Sequence, residues 1–218
     1  MKYTRDDVRK AMLLYAVTDR SWLKENETLA EVLDQVLENG ATLVQLREKD
    51  ISDDEIEAEA MKLKEVCSRY HVPLIINDSV EIALHCGADG VHVGQSDIKG
   101  RDIRAMIGPD KILGMTARSA EEAREAERAG ADYIGTGAVF GSTTKKNAIY
   151  MTPERLREIT ASVSIPVVAI GGICLKNIDQ LAGSGIDGVA VVSGIFAEEN
   201  PGEATGNLLE KVKFVVGR

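Results

Sequence analysis

GADGVHVGQSD, residues 87–97, has three near-copies elsewhere in the chain: GATLVQLREKD at 40–50, GADYIGTGAVF at 130–140 and GIDGVAVVSGI at 185–195. Each opens on Gly and a small or aliphatic residue, runs through a β-branched stretch, then turns polar or Gly-rich. Gly40, Gly87, Gly130 and Gly185 fit positions that close a helix before the next strand, so the echo reads as a repeated helix C-cap and αβ turn. The copies diverge at their C-terminal ends. A repeated scaffold carries its chemistry where its repeats differ.

Working outward, short apolar runs recur: LLYAVTD (13–19), LVQLREK (43–49), PLIIND (73–78), GVHVGQ (90–95), ILGMTA (112–117), YIGTGAVF (133–140), PVVAIGGI (166–173) and GVAVVSGI (188–195). Segments of helical periodicity lie between them, among them LAEVLDQVLENG, DDEIEAEAMKLKEVCSRY, SAEEAREAERAG and PERLREITASV. Ser52 and Ser119, each with Glu three residues on, fit N-caps, and Pro153 fits a first helical position. Eight strands alternating with eight helical segments, the last at 203–216, predict a single-domain (β/α)8 TIM barrel spanning residues 1–218. Each unit takes roughly 27 residues, a compact barrel. A doubly wound sheet is the alternative, weakened because no GxGxxG follows an early strand.

The composition agrees. The chain is 44% hydrophobic and only 4% aromatic, suited to parallel strands packed by aliphatic side chains. A formal charge of −9 argues against nucleic acid or an anionic membrane as partner. It leaves room for small anionic substrates met by a local basic cluster. Cys67, Cys86 and Cys174 are odd in number and lack CxxC spacing, which reads as reduced, buried thiols in a cytoplasmic protein. The start, MKYTRDDVRKAMLLYAVTDR, is too charged for a secretory or membrane segment.

In a barrel of this kind functional groups sit at the C-terminal strand ends. The second strand ends in QLREK, where alternation gives Gln45, Arg47 and Lys49 one face and Val44 and Leu46 the other. An amide and two cations at the barrel mouth suit a polyanion; solvated strand-end charges are the plainer reading. The third strand ends in Asn77-Asp78, and Asp97 follows the fourth. Two neighbouring carboxylates that share substrate phosphates describe an Mg2+ site. The blander reading makes Asp78 the N-cap of the next helix and Asp97 a turn residue. GSTTKK (141–146) offers Ser142, Thr143, Thr144 and Lys145, and Gly171-Gly172 and Val192-Ser193-Gly194 end the last two strands, where this fold commonly holds phosphate.

Acid–base groups are scarcer. His71 reads as a helix end, His85 as helical, and His92 as a satisfied strand histidine. Glu48 has the wrong parity for a catalytic acid within the strand. The residues therefore supply charge stabilisation more clearly than proton transfer, as suits departure of a stabilised anion.

The chain resembles the thiamine phosphate synthase (thiamin-phosphate pyrophosphorylase) family through YAVTD, QLREK, ND before a helix, GADGVHVGQSD, GADYIGTGAVF followed by S-T-T-K, IPVVAIGG and DGVAVVSGI, nearly end to end. The resemblance implies a (β/α)8 transferase. It would join a 4-amino-2-methylpyrimidine methyl diphosphate to a methyl(phosphoethyl)thiazole, or to its carboxylated or tautomeric form, releasing pyrophosphate by a dissociative route. By position, Gln45, Leu46, Arg47, Glu48, Lys49 and Asn77 would cradle the pyrimidine diphosphate, and Asp78 and Asp97 would hold Mg2+. Thr116 would hydrogen-bond the same substrate. Ser142, Thr143 and Thr144 would meet the thiazole phosphate and Lys145 the pyrophosphate, with Gly172, Val192 and Ser193 completing the cup through backbone groups. Arg47, Lys49, Lys145 and Thr116 would carry the catalysis. Two departures stand out: GMTAR puts Thr116 and Arg118 where the family usually reads G-x-S-x-H, and S-T-T-K replaces the commoner T-x-T-K. Both keep the hydroxyl. A thiazole tautomerase, a catalytically dead regulatory barrel and a phosphosugar epimerase each leave part of this apparatus idle.

Overall fold

The computed structural model describes residues 3–48, 51–94, 101–141 and 151–217. Eight parallel strands close into a barrel in chain order: β1 Leu14–Val17, β2 Leu43–Leu46, β3 Leu74–Asn77, β4 Gly90–Val93, β5 Ile112–Thr116, β6 Tyr133–Gly137, β7 Val167–Ile170 and β8 Gly188–Val191, with β8 pairing back onto β1.

The helices are α1 Arg5–Ala11, α2 Leu29–Glu38, α3 Asp53–Arg69, α4 Val80–His85, α5 Ile103–Ile107, α6 Ala120–Arg128, α7 Pro153–Ser162, α8 Ser193–Phe196 and α9 Pro201–Val216. Ser52 caps α3 in a reciprocal box with Glu55, Ser119 caps α6 by accepting from the amide of Glu122, and Pro153 opens α7. The eight-helix expectation is amended in three places, the first being α8, a single short turn on residues read as the end of the last strand. After β7 the chain makes only one 3-10 turn, Ile178–Leu181, ahead of Gly183 and Gly185, both at positive φ. So short a segment, ended by glycines, cannot propagate an α-helix. The charged start also folds as a helix: Thr4 and Asp7 form a capping box on α1.

Val8, Ala11 and Met12 pack with Leu43, Ile75, Ile112, Val168 and Ala190 inside the barrel. α1 therefore closes the N-terminal end. Strand alternation divides the core: Val44, Leu46, Leu74, Ile76, Val91 and Val93 face the helices, while the opposite parity lines the interior.

The repeated stretch that opens the sequence has a physical basis beyond its glycines. Those four do take positive φ, between 65° and 96°. The third residue of each copy then clasps a residue at the start of the preceding strand, the first in three copies and the second in β5. The Asp89 carboxylate accepts from Leu74 N at 2.9 Å while Asp89 N donates to Leu74 O at 2.8 Å. Asp132 and Leu113 do the same at 2.8 and 2.7 Å, and Asp187 and Val167 at 3.0 and 2.8 Å. Thr42 and Leu14 repeat it with a hydroxyl, both bonds being 2.8 Å. Each carboxylate also meets a cation: Lys64 on Asp89, Arg104 on Asp132 and Arg9 on Asp187. The barrel is thus four strand pairs, each pinned at its N-terminal end.

Candidate active site at the C-terminal barrel mouth

Interior positions change character along the strands. Near the closed end they are apolar, with Leu43, Ile75 and Ile112; towards the C-terminal ends they become Gln45, Asn77, His92 and Thr116. Gln45 is buried, and its Nε2 donates to Tyr15 Oη at 2.6 Å. Tyr15 Oη lies 2.8 Å from Tyr133 Oη. His92 bonds Tyr133 Oη through Nδ1 and Thr116 Oγ1 through Nε2, each at 3.0 Å. Burial, the largest cause in both cases, pushes both phenols well above their ordinary pKa, so each keeps its proton.

At the end of β3, Asn77 Nδ2 donates to Asp78 Oδ2 at 2.7 Å. Asp78 takes φ 63°, a left-handed conformation, and its amide donates to His92 O at 2.8 Å. The N-cap of α4 is Ser79, whose hydroxyl accepts from Ile82 N at 3.2 Å. The reading of Asp78 as a helix cap is therefore overturned, and a carboxylate in a conformation uncommon for non-glycine residues is left at the mouth.

Beyond β2, Arg47 N donates to Thr18 Oγ1 at 3.1 Å. Glu48 keeps the outward parity of Val44 and Leu46: its Oε2 is 2.9 Å from Arg20 Nε and its side chain is only 5% exposed. Burial raises its pKa against the pull of Arg20, and among the described residues its Oε1 has no hydrogen-bond partner. Leu46 packs in the outer core, so its side chain is committed to packing. At the far side of the mouth, Gly171 and Gly172 take φ 106° and 66°. A Cβ on Gly172 would lie 2.8 Å from Phe140 O, so the chain passes this point without a side chain. Asn177 fastens the turn, donating to Gly172 O at 2.8 Å and accepting from Cys174 N at 2.9 Å. Val192 and Ser193 lead into α8.

The thiamine monophosphate synthase profile matches residues 14–195, from the first barrel strand into α8. The chain belongs to this family. It is 48% identical over 200 residues to the thiamine-phosphate synthase of Methanobrevibacter smithii, covering 92% of this chain and 95% of that one. It is 49% identical over 197 residues to the thiamine-phosphate synthase of Ruminiclostridium cellulolyticum, covering 90% and 93%. Among solved structures, thiamine phosphate pyrophosphorylase from Pyrococcus furiosus superposes with a TM-score of 0.85 at 37% identity, covering 96% of this chain and all of that one. (S)-3-O-geranylgeranylglyceryl phosphate synthase from Thermoplasma acidophilum, 17% identical with a TM-score of 0.74, shares the barrel architecture.

Of the residues that the family resemblance marks, Gln45, Asn77, Asp78 and Thr116 converge on the upper interior and rim. Lys49, Asp97, Ser142, Thr143, Thr144 and Lys145 lie outside the described residues. Among the described residues no group of three His, Cys, Asp or Glu side chains could by itself hold a metal. The sequence reading passed over Tyr15, Tyr133 and Asn177. The first two sit in apolar strands and carry no motif; their alternation with Ala16 and Ile134 was the available signal. His92 is satisfied by hydrogen bonds, as expected, but lies among the candidate ligand groups. Cys67, Cys86 and Cys174 are all free thiols, but only Cys67 is buried; Cys86 and Cys174 are partly exposed because they lie at a helix end and in a turn rather than in the core, against the expectation of buried thiols. No helix among the described residues is long and apolar enough to cross a membrane.

Proposed function

We propose that this chain condenses 4-amino-2-methyl-5-(diphosphooxymethyl)pyrimidine with 4-methyl-5-(2-phosphoethyl)thiazole to give thiamine phosphate and pyrophosphate. Family membership supplies the reaction. The observation that carries the reading of the site is the grouping of Gln45, Asn77, Asp78 and Thr116 at one end of a barrel whose other end α1 closes.

In this reading Gln45, Asn77 and Thr116 orient the pyrimidine, and Arg47, Lys49 and Lys145 gather the charge of the departing pyrophosphate. The bond from the pyrimidine methylene carbon to the diphosphate oxygen breaks, and its electron pair leaves with the pyrophosphate. The thiazole nitrogen then gives its lone pair to the cationic carbon. Gly172, Val192 and Ser193 hold the thiazole phosphate through main-chain groups, with Ser142, Thr143 and Thr144 beside them. Leu46 contributes through its main chain, and Glu48 anchors the strand end through Arg20. No general base is needed, which suits a mouth richer in amides, hydroxyls and cations than in proton acceptors.

The donor set also fits a hard divalent cation. Asp78 is released from helix capping by Ser79, and with Asp97 it would hold Mg2+, which adds positive charge beside the leaving group. Two phosphorylated small molecules as partners, one catalytic domain over residues 1–218 and a cytoplasmic site of action complete the reading.

Purified protein mixed with both substrates and Mg2+ is expected to release thiamine phosphate and pyrophosphate in equal amounts, and EDTA is expected to stop both. Binding of both ligands with no product in the presence of Mg2+ would sink the reading in favour of a regulatory barrel.

A further inference from the structure

YAVTDR, residues 15–20, has no task in the reaction proposed above, although YAVTD carries part of the family resemblance. The fold lays it against QLRE, residues 45–48, one contact after another. Tyr15 Oη accepts from Gln45 Nε2 at 2.6 Å, and Thr18 N donates to Gln45 O at 2.9 Å. Thr18 Oγ1 accepts from Arg47 N at 3.1 Å, and Arg20 Nε lies 2.9 Å from Glu48 Oε2. The strand register ends at Val17 and Gln45, and the contacts of Thr18 and Arg20 carry the pairing beyond it.

The holding side is itself fixed. Thr18 is fully buried, and the Asp19 carboxylate caps the 3-10 turn Arg20–Trp22 by accepting from Ser21 N at 3.1 Å. Arg20 therefore reaches Glu48 from the first position of a capped turn.

Parity gives these contacts a chemical consequence. Side chains of an extended segment alternate, and a slip of one residue exchanges its two faces. Glu48 lies outward with Val44 and Leu46, where Asp19 and Glu59 of α3 are the other charges that bear on it. While Glu48 is held outward, Arg47 stays on the interior side with Gln45. Stability alone does not account for the ion pair. Only 5% of the Glu48 side chain is exposed, and among the described residues its Oε1 has no hydrogen-bond partner. Apolar side chains of similar volume commonly replace a buried ion pair without loss of stability. Val44 and Leu46 already fill the two preceding outward positions in that way.

Resting on the function proposed above, we infer that Thr18, Arg20 and Glu48 are positioning residues that hold the end of β2 in one register, so that Arg47 faces the departing pyrophosphate. Their effect falls on the pyrophosphate and spares the thiazole phosphate, which the same reading gives to Gly172, Val192 and Ser193.

Calorimetric titration of the whole protein with inorganic pyrophosphate and Mg2+, and separately with 4-methyl-5-(2-phosphoethyl)thiazole, tests this. Thr18→Val keeps the side-chain volume and removes the acceptor of Arg47 N. Arg20→Met combined with Glu48→Met replaces the ion pair by apolar side chains. Each is expected to weaken pyrophosphate binding about tenfold, the value of one good hydrogen bond, with thiazole phosphate affinity unchanged. Thr18→Ser is expected to keep wild-type binding. The double variant is expected to melt no lower than the wild type while binding pyrophosphate more weakly, a combination that a merely structural pair does not give.

Wild-type pyrophosphate affinity in both variants overturns the inference. Equal losses for the two ligands, or a wild type that takes up no pyrophosphate, overturn it as well. Should the double variant fail to fold, the Thr18→Val titration decides alone. Selective binding losses beside a wild type that condenses nothing remove the proposed reaction and leave the positioning role supported. Condensation by a wild type whose variants bind pyrophosphate normally removes the positioning role alone.

Discussion

The Asp132 carboxylate accepts the amide hydrogen of Leu113 at 2.8 Å while the Asp132 amide donates to the Leu113 carbonyl at 2.7 Å. Arg104 holds the same carboxylate at 2.6 Å and also donates to Gly130 O, at 2.9 Å through its Nη2. Asp132→Ala leaves a β5 amide and a half-buried guanidinium short of a partner. It is expected to lower unfolding free energy by about 1–3 kcal/mol in urea titrations, with kcat/KM little changed at the opposite end of the barrel.

Thr116→Val removes the hydroxyl that lies 3.0 Å from His92 Nε2 and keeps the side-chain volume. We expect kcat/KM to fall roughly tenfold to a hundredfold, the value of one to two good hydrogen bonds to substrate. Thr116→Ser should keep most of it. Steady-state assays of both variants, alongside their melting temperatures, separate a site effect from a folding one.

Burial holds the Cys67 thiol up to about 12 against an ordinary 9.0. The unfolded chain loses this proton near 9 while the folded chain keeps it, so the thiol favours the unfolded state increasingly as pH rises from 9 towards 12. Stability measured across that window should fall with pH, and less steeply in Cys67→Ala. Iodoacetamide at pH 8 should leave Cys67 unmodified in the native protein.

Asp97→Ala should weaken the Mg2+ dependence and cut turnover, and Lys49→Ala should lower kcat more than it weakens thiazole phosphate binding. Val44 packs against the helices, so Val44→Ala serves as the control. It should cost roughly 1–3 kcal/mol of stability without favouring either substrate. Equal small losses in the first two variants would contradict separate pyrophosphate and thiazole-phosphate sites.

Much of the architecture was legible because strand alternation and helix caps are local signals. Val44 and Leu46 declared the outer face of β2 before any coordinate did, and Ser52 and Ser119 marked helix starts by their spacing to Glu55 and Glu122. The third residue of each repeat was harder to read. Asp89, Asp132 and Asp187 act on residues of another strand, and no window along the chain contains both partners. The same holds for Tyr15 and Tyr133, which look like ordinary core aromatics until closure brings their hydroxyls to 2.8 Å. Asp78 shows the converse. A carboxylate one residue before a capping serine is ambiguous on paper, and only the geometry of Ser79 resolves it.

The helix that seals the floor has a kinetic meaning. A tube stoppered at one end fills and drains through the other, so whichever ligand sits deeper enters first and leaves last. If the pyrimidine sits against Gln45 and Thr116 as proposed, turnover should follow a compulsory order, and product inhibition patterns would report which molecule is at the bottom.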